Sequence, residues 1–123
     1  MDRPDIKIGA VTLDCAPHQV KAMVAFYSKL LGYTAHHVDG PFPYLEGDGV
    51  SITLQPEEGY SPPDWPDGPA GQQAHIDLAV KSIPEAREYA LSIGAVDSPA
   101  QFGDNWHIML DPAGHPFCLC QDS

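Results

Sequence analysis

The 123-residue sequence predicts an α+β fold built from two βαβββ modules, and three observations carry that prediction. An order of apolar strand, amphipathic helix ended by glycine, and three short strands occurs twice. Both helices place apolar residues three and four apart. Between the repeats lies a proline-rich stretch that suits neither strand nor helix.

The first strand is read over Ile6–Cys15, a run rich in β-branched and apolar residues. The helix after it is marked by Val20, Met23, Val24, Tyr27, Leu30 and Leu31. Pro17 is tolerated at its start and Gly32 suits a left-handed stop. Three short strands follow at Tyr33–Val38, Pro43–Glu46 and Val50–Gln55, the last two joined by Gly47-Asp48-Gly49.

The second module opens with a strand at Ala74–Val80. Ser82-Ile83-Pro84-Glu85 reads as a capping box at a helix start. Ala86, Tyr89, Ala90 and Ile93 form that helix's apolar stripe, and Gly94 ends it. Strands are then read at Val96–Phe102, Trp106–Asp111 and Pro116–Cys120. Asp111-Pro112-Ala113-Gly114 joins the last two as a type I turn with a glycine bulge. The chain is thus read as a single domain, 1–123, with module one at 5–55, a proline-rich loop at 56–73 and module two at 74–121. Helices cover one face of each set of strands, and the opposite faces are left to form a cleft.

The composition narrows the function. With 6 Lys plus Arg against 17 Asp plus Glu, the formal charge is −11. Phosphate neutralisation needs clustered cations, so nucleic-acid partners are excluded, and a polybasic membrane contact with them. No apolar run approaches the ~20 residues of a membrane span. The polar start, Met1-Asp2-Arg3-Pro4-Asp5, runs straight into a strand and is not expected to be a signal peptide. Three cysteines, an odd count, suit reduced thiols and a cytoplasmic location.

Four segments, spread over essentially the whole chain, resemble the vicinal oxygen chelate superfamily of glyoxalases, bleomycin-resistance proteins and dioxygenases. They are Val11-Thr12-Leu13-Asp14-Cys15-Ala16, Phe26-Tyr27-Ser28-Lys29-Leu30-Leu31-Gly32, His75-Ile76-Asp77-Leu78, and Asp111-Pro112-Ala113-Gly114-His115-Pro116-Phe117-Cys118. The stretches from Tyr60 to Asp67 and from Gln72 to His75 look like an actinobacterial glyoxalase-like branch. The resemblance implies a curved mixed sheet around a cleft, and a homodimer. It also implies metal-ligand positions at Ala10, Thr53, His75 and Cys118. Only His75 keeps the family's ligand type there. Ala10 has no donor and Thr53 is a poor one, so no catalytic metal is expected. If a metal binds, zinc on His75 and Cys118, with Cys120 beside them, is the expected form.

Strand alternation places Thr12, Asp14 and Gln55 on the cleft face of module one, with either Ile52 or Thr53. In module two it places His75, Asp77, Trp106, Ile108, Cys118 and Cys120 there. Tyr60 and Trp65, in the proline-rich loop, are candidates to cover an apolar ligand; the same loop equally suits a packed connector or a dimer contact. His75 with Asp14 or Asp77 could serve as general acid/base, but the reading weighed ahead of it is that the three are hydrogen-bonded straps between modules. His36 and His37, being adjacent, are expected on opposite faces, and His107 on the helix side or edge, away from the cleft. The expected function is small-molecule binding without a cofactor. The alternative is a glyoxalase-like lyase or isomerase, metal-free or zinc-dependent, that uses His75 with a nearby carboxylate or thiolate.

Overall fold

In the computed structural model, residues 1–5, 8–63 and 75–121 are described. Their element order is β1 (Ala10–Cys15), α1 (Val20–Leu31), β2 (Thr34–His36), β3 (Tyr44–Glu46), β4 (Ser51–Pro56), β5 (Ile76–Val80), α2 (Ile83–Ser92), β6 (Val96–Asp97), β7 (Trp106–Leu110) and β8 (Pro116–Gln121). The strands form two four-stranded mixed sheets, ordered β1-β4-β3-β2 and β5-β8-β7-β6. In each, the first and last strands pair in parallel and the remaining contacts are antiparallel. The doubled βαβββ reading is therefore correct. The chain divides into two compact units, Met1–Glu58 and Gly59–Ser123, with the boundary inside the proline-rich loop. No helix among the described residues is long and apolar enough to cross a membrane.

In the first unit, alternation sorts residues cleanly. Leu13, Cys15, Leu45, Ile52 and Leu54 point toward α1, and Cys15, Leu45 and Leu54 are fully buried. The helix answers with Met23, Phe26 and Tyr27, all buried, Phe26 meeting Tyr27 edge to face at 5.0 Å between centroids. A 3-10 turn at Pro17–Gln19 leads into α1, and the Gln19 side chain accepts the Ala16 N–H at 2.8 Å. Gly32 ends the helix in the left-handed region, φ 69°, as the sequence suggested. Tyr33 then folds back, its hydroxyl accepting the Gly49 N–H at 3.0 Å to hold the β3–β4 connection.

The second unit is built differently on the same plan. Phe117, Leu119 and Met109 are buried on the helix side of the sheet, but α2 contributes only Ala90 as a buried residue. The helix begins at Ser82, whose hydroxyl accepts the Glu85 N–H. It is tied to the sheet by charge. Arg87 donates a two-pronged hydrogen bond to Asp97, Nε to Oδ1 at 2.9 Å and Nη2 to Oδ2 at 2.6 Å. His107 donates from Nε2 to Asp97 Oδ1 at 2.7 Å. The expectation that His107 faces the helix side is thus met. These contacts, the Arg87 bond first and the His107 bond second, hold the Asp97 carboxyl down at about 2. Asp97 in turn raises Arg87.

Three local expectations are corrected. The sixth strand, read over Val96–Phe102, is only Val96–Asp97. Past it, Pro99 has no N–H to give, and the Gln101 side chain takes over the ladder. Its Oε1 accepts from Ile108 N at 2.9 Å, and its Nε2 donates to Ile108 O at 2.8 Å. The chain from Gln101 to Asn105 is thereby free to form a loop. His36 and His37 were expected on opposite faces, yet both rings reach Tyr44, at 4.8 and 5.7 Å. The reason is that β2 ends at His36 and His37 turns to φ 53°, outside strand geometry. Alternation stops applying there. The predicted first strand also shortens to Ala10–Cys15; residues 6–7 and Ala74 lie outside the described residues.

Candidate functional site

A pocket of about 460 Å³ opens on the second unit. It is lined by His75, Asp77, Phe102, Asn105, Trp106, Cys118 and Cys120. The register explains the grouping. Asp77 pairs with Cys118, Cys118 with Ile108, and Cys120 with Trp106, so all five residues stand on the face away from α2. Cys118 is buried and Trp106 is 38% exposed. The floor is therefore sulfur and aliphatic carbon, and the rim is aromatic.

Phe102 and Asn105 come from the loop that replaces the expected sixth strand. Sequence reading missed both because a strand was assigned through Phe102. The available signal was Pro99 together with Gly103, two residues that interrupt a strand. Gly103 has a second role. A Cβ built on it would collide with the Trp106 ring, so the indole lies directly over this backbone. Any larger residue displaces the pocket wall.

At the polar end, His75 Nε2 lies 3.1 Å from Asp77 Oδ1. The ligand atoms of His75, Asp77 and Cys118 lie within 4.8 Å of one another. The thiol of Cys118 is pushed up to about 11, first by burial and then by the Asp77 charge. Cys120 is raised for the same two reasons. Both thiols are thus held protonated, and neither is an activated nucleophile.

The remaining candidates lie elsewhere. Thr12, Asp14 and Gln55 share the open face of the first unit's sheet, where Asp14 pairs with Gln55 and Thr12 with Thr53. The open parity is settled for Thr53, since Ile52 is buried against α1. The Gln55 amide donates to Glu57 at 2.6 Å. Ile108 shares the pocket face but is fully buried. Tyr60 does not line the pocket. Its hydroxyl donates to Ala113 O at 2.8 Å and lies 3.3 Å from His115 Nε2, so its polar end is engaged by the β7–β8 turn. That turn forms as expected. Gly114 N donates to Asp111 O at 2.9 Å, and Gly114, φ 89°, packs under Pro62 where no Cβ would fit. Trp65 lies outside the described residues.

The donor set decides which metals this chain could hold. A hard divalent ion wants carboxylate and imidazole donors. At two of the four positions that the resemblance implies, Ala10 offers a methyl group and Thr53 a neutral hydroxyl, neither of which is such a donor. The nitrogen, oxygen and sulfur of His75, Asp77 and Cys118 form a set of the kind that takes zinc, provided the thiol loses its proton.

Comparisons with known proteins agree with the fold. Residues 10–120 match the family described as glyoxalase-like domain. A search of curated proteins gives no match. Among solved structures, the chain is similar to a glyoxalase/bleomycin resistance/dioxygenase family enzyme from Burkholderia phytofirmans, with TM-score 0.69 and 18% identity, covering 94% of this chain and 98% of that one. A gene product from Arabidopsis thaliana superposes with TM-score 0.70 and 17% identity, covering 94% and 99%. A glyoxalase-related enzyme from Fulvimarina pelagi gives 0.67 and 14%, covering 94% and 88%. At these identities the likeness is one of fold. With two βαβββ modules, two mixed sheets and a family match across 10–120, this chain belongs to the glyoxalase-like domain family.

Proposed function

We propose that the protein binds a small molecule in the pocket of its second unit and does so without the divalent ion of metal-using relatives. The observation that carries this reading is the lining: aromatic walls from Phe102 and Trp106, a thiol floor, and three polar groups, His75, Asp77 and Asn105. Small-molecule sites have this mixture of apolar surface with a few placed polar atoms. Thermal-shift screening against small aromatic and aliphatic compounds tests it. At least one compound should raise the melting temperature of the metal-free protein. A large shift with a divalent metal and none with any compound overturns it.

A second reading is favoured by one observation, the closeness of His75, Asp77 and Cys118. In it the protein is a glyoxalase-like lyase or isomerase. The Asp77 carboxylate, 3.1 Å from His75 Nε2, orients that ring, and the imidazole is the group that would take a proton from substrate. If zinc is held by His75, Asp77 and Cys118, it would polarise a substrate oxygen. Elemental analysis of protein purified without chelator, and turnover by a His75→Ala variant, separate the two readings.

Three finer assignments belong to the same proposal. The segments at 60–67 and 72–75 support an actinobacterial glyoxalase-like branch. The three free thiols support a reducing, cytoplasmic compartment. The fold resemblance supports a homodimer, for which a sedimentation mass of twice the 13.3 kDa chain is the expected result.

A further inference from the structure

The pocket's electrostatics restrict its ligand further. Among the described residues, no Lys or Arg lines it. Among the described lining residues the one carboxylate is that of Asp77, whose side chain is 64% exposed and so is available to a ligand. His75 lies against that carboxylate at 3.1 Å. The two thiols beneath are uncharged while protonated. An anion entering the pocket would lose water beside a like charge, with no ammonium or guanidinium to receive it.

The aromatic rim favours the opposite sign. Trp106 and Phe102, 38% and 56% exposed, offer ring faces whose quadrupoles attract cations. The chain's net charge of −11 acts in the same direction at long range, gathering cations and repelling anions. Asn105 adds an amide that can meet a ring nitrogen or a carbonyl. A volume of about 460 Å³ accommodates a bicyclic ring system with room for substituents.

Resting on the binding reading above, we propose that the pocket takes a planar aromatic cation, its ring against Trp106 and Phe102 and its positive charge toward Asp77. Calorimetric titration of the full chain with three molecules of nearly one shape tests this: N-methylquinolinium, quinoline and quinoline-2-carboxylate. At about pH 8 they are cation, neutral and anion. The cation should bind at least about tenfold more tightly than the anion, and its advantage should shrink as salt rises toward about 0.15 M and beyond.

Asp77→Asn should bring the cation's affinity to within about threefold of quinoline's, both measured on that variant. Trp106→Ala should weaken all three. Equal binding of cation and anion overturns the proposal, as does a cation preference that survives Asp77→Asn. The series on the unmodified chain decides the matter even if a variant folds poorly. Quinoline binding with no charge preference overturns the ligand class and leaves the pocket reading standing. Absence of binding by all three at millimolar concentration overturns the ligand class, and the thermal-shift screen then decides the pocket reading.

Discussion

The two units share one topology and hold their helices in different ways. In the first, α1 buries Met23, Phe26 and Tyr27 against Leu45, Ile52 and Leu54. In the second, α2 buries only Ala90 and leans on the Arg87–Asp97–His107 cluster. The open faces differ as well. The first carries short polar side chains, Thr12, Asp14, Thr53 and Gln55. The second carries a pocket because its edge strand stops after two residues and a loop rises in its place. A repeated blueprint therefore fixes strand order, while the depth of the apolar interface and the length of one edge strand decide which copy acquires a site.

Three changes would break or sharpen this contrast. The largest effect is expected for Phe26→Ala, which empties a fully buried aromatic position and should cost about 3–5 kcal/mol by denaturant unfolding. A loss below about 1 kcal/mol would mean that α1 is not held by its apolar face.

Gly103→Ala comes next. It forces the Trp106 indole off the backbone beneath it, and overpacking of this kind costs about 1–3 kcal/mol. Intrinsic fluorescence should shift and small-molecule binding should weaken while the first unit's amide protection stays unchanged. An unaltered spectrum together with unaltered binding would show that the loop does not set the pocket wall.

The smallest effect concerns the charged cluster. Asp97 is held at about 2 against an ordinary 3.8, so its stabilisation is present above the ordinary value and is lost as pH falls through the window between the two. Hydrogen exchange should therefore report α2 loosening between about pH 4 and pH 2. Because the cluster is partly exposed, Asp97→Asn should cost about 1 kcal/mol or less at neutral pH and remove that acid-dependent step. Retention of the step in Asp97→Asn would assign it to another carboxylate.

Much of the fold was legible because its signals are local. Apolar spacing marked α1 over the range observed. Gly32 stopped it, and Asp111-Pro112-Ala113-Gly114 specified its turn through backbone angles that those residues favour. Alternation likewise put Cys118, Cys120, Trp106 and Asp77 on one face, because side-chain direction in a strand depends only on parity. Reading failed where a side chain stood in for backbone. Nothing in the local pattern says that Gln101 will bond Ile108 and end β6, because that contact spans seven residues. Nor does local pattern show that the Tyr60 hydroxyl meets Ala113, fifty-three positions away.

By itself the sequence determined the α+β class, the doubled βαβββ order, the acidic charge that disfavours phosphate partners, and which strand residues share a face. These follow from periodicity, turn chemistry and composition, all of them properties of neighbours in the chain. Tertiary structure alone decided that Phe102 and Asn105 join the pocket. It alone decided that Trp106 rests on Gly103, and that burial with Asp77 keeps the Cys118 thiol protonated. Those outcomes depend on distances between groups far apart in sequence and on the solvent removed from around them, and neither quantity exists until the chain has folded.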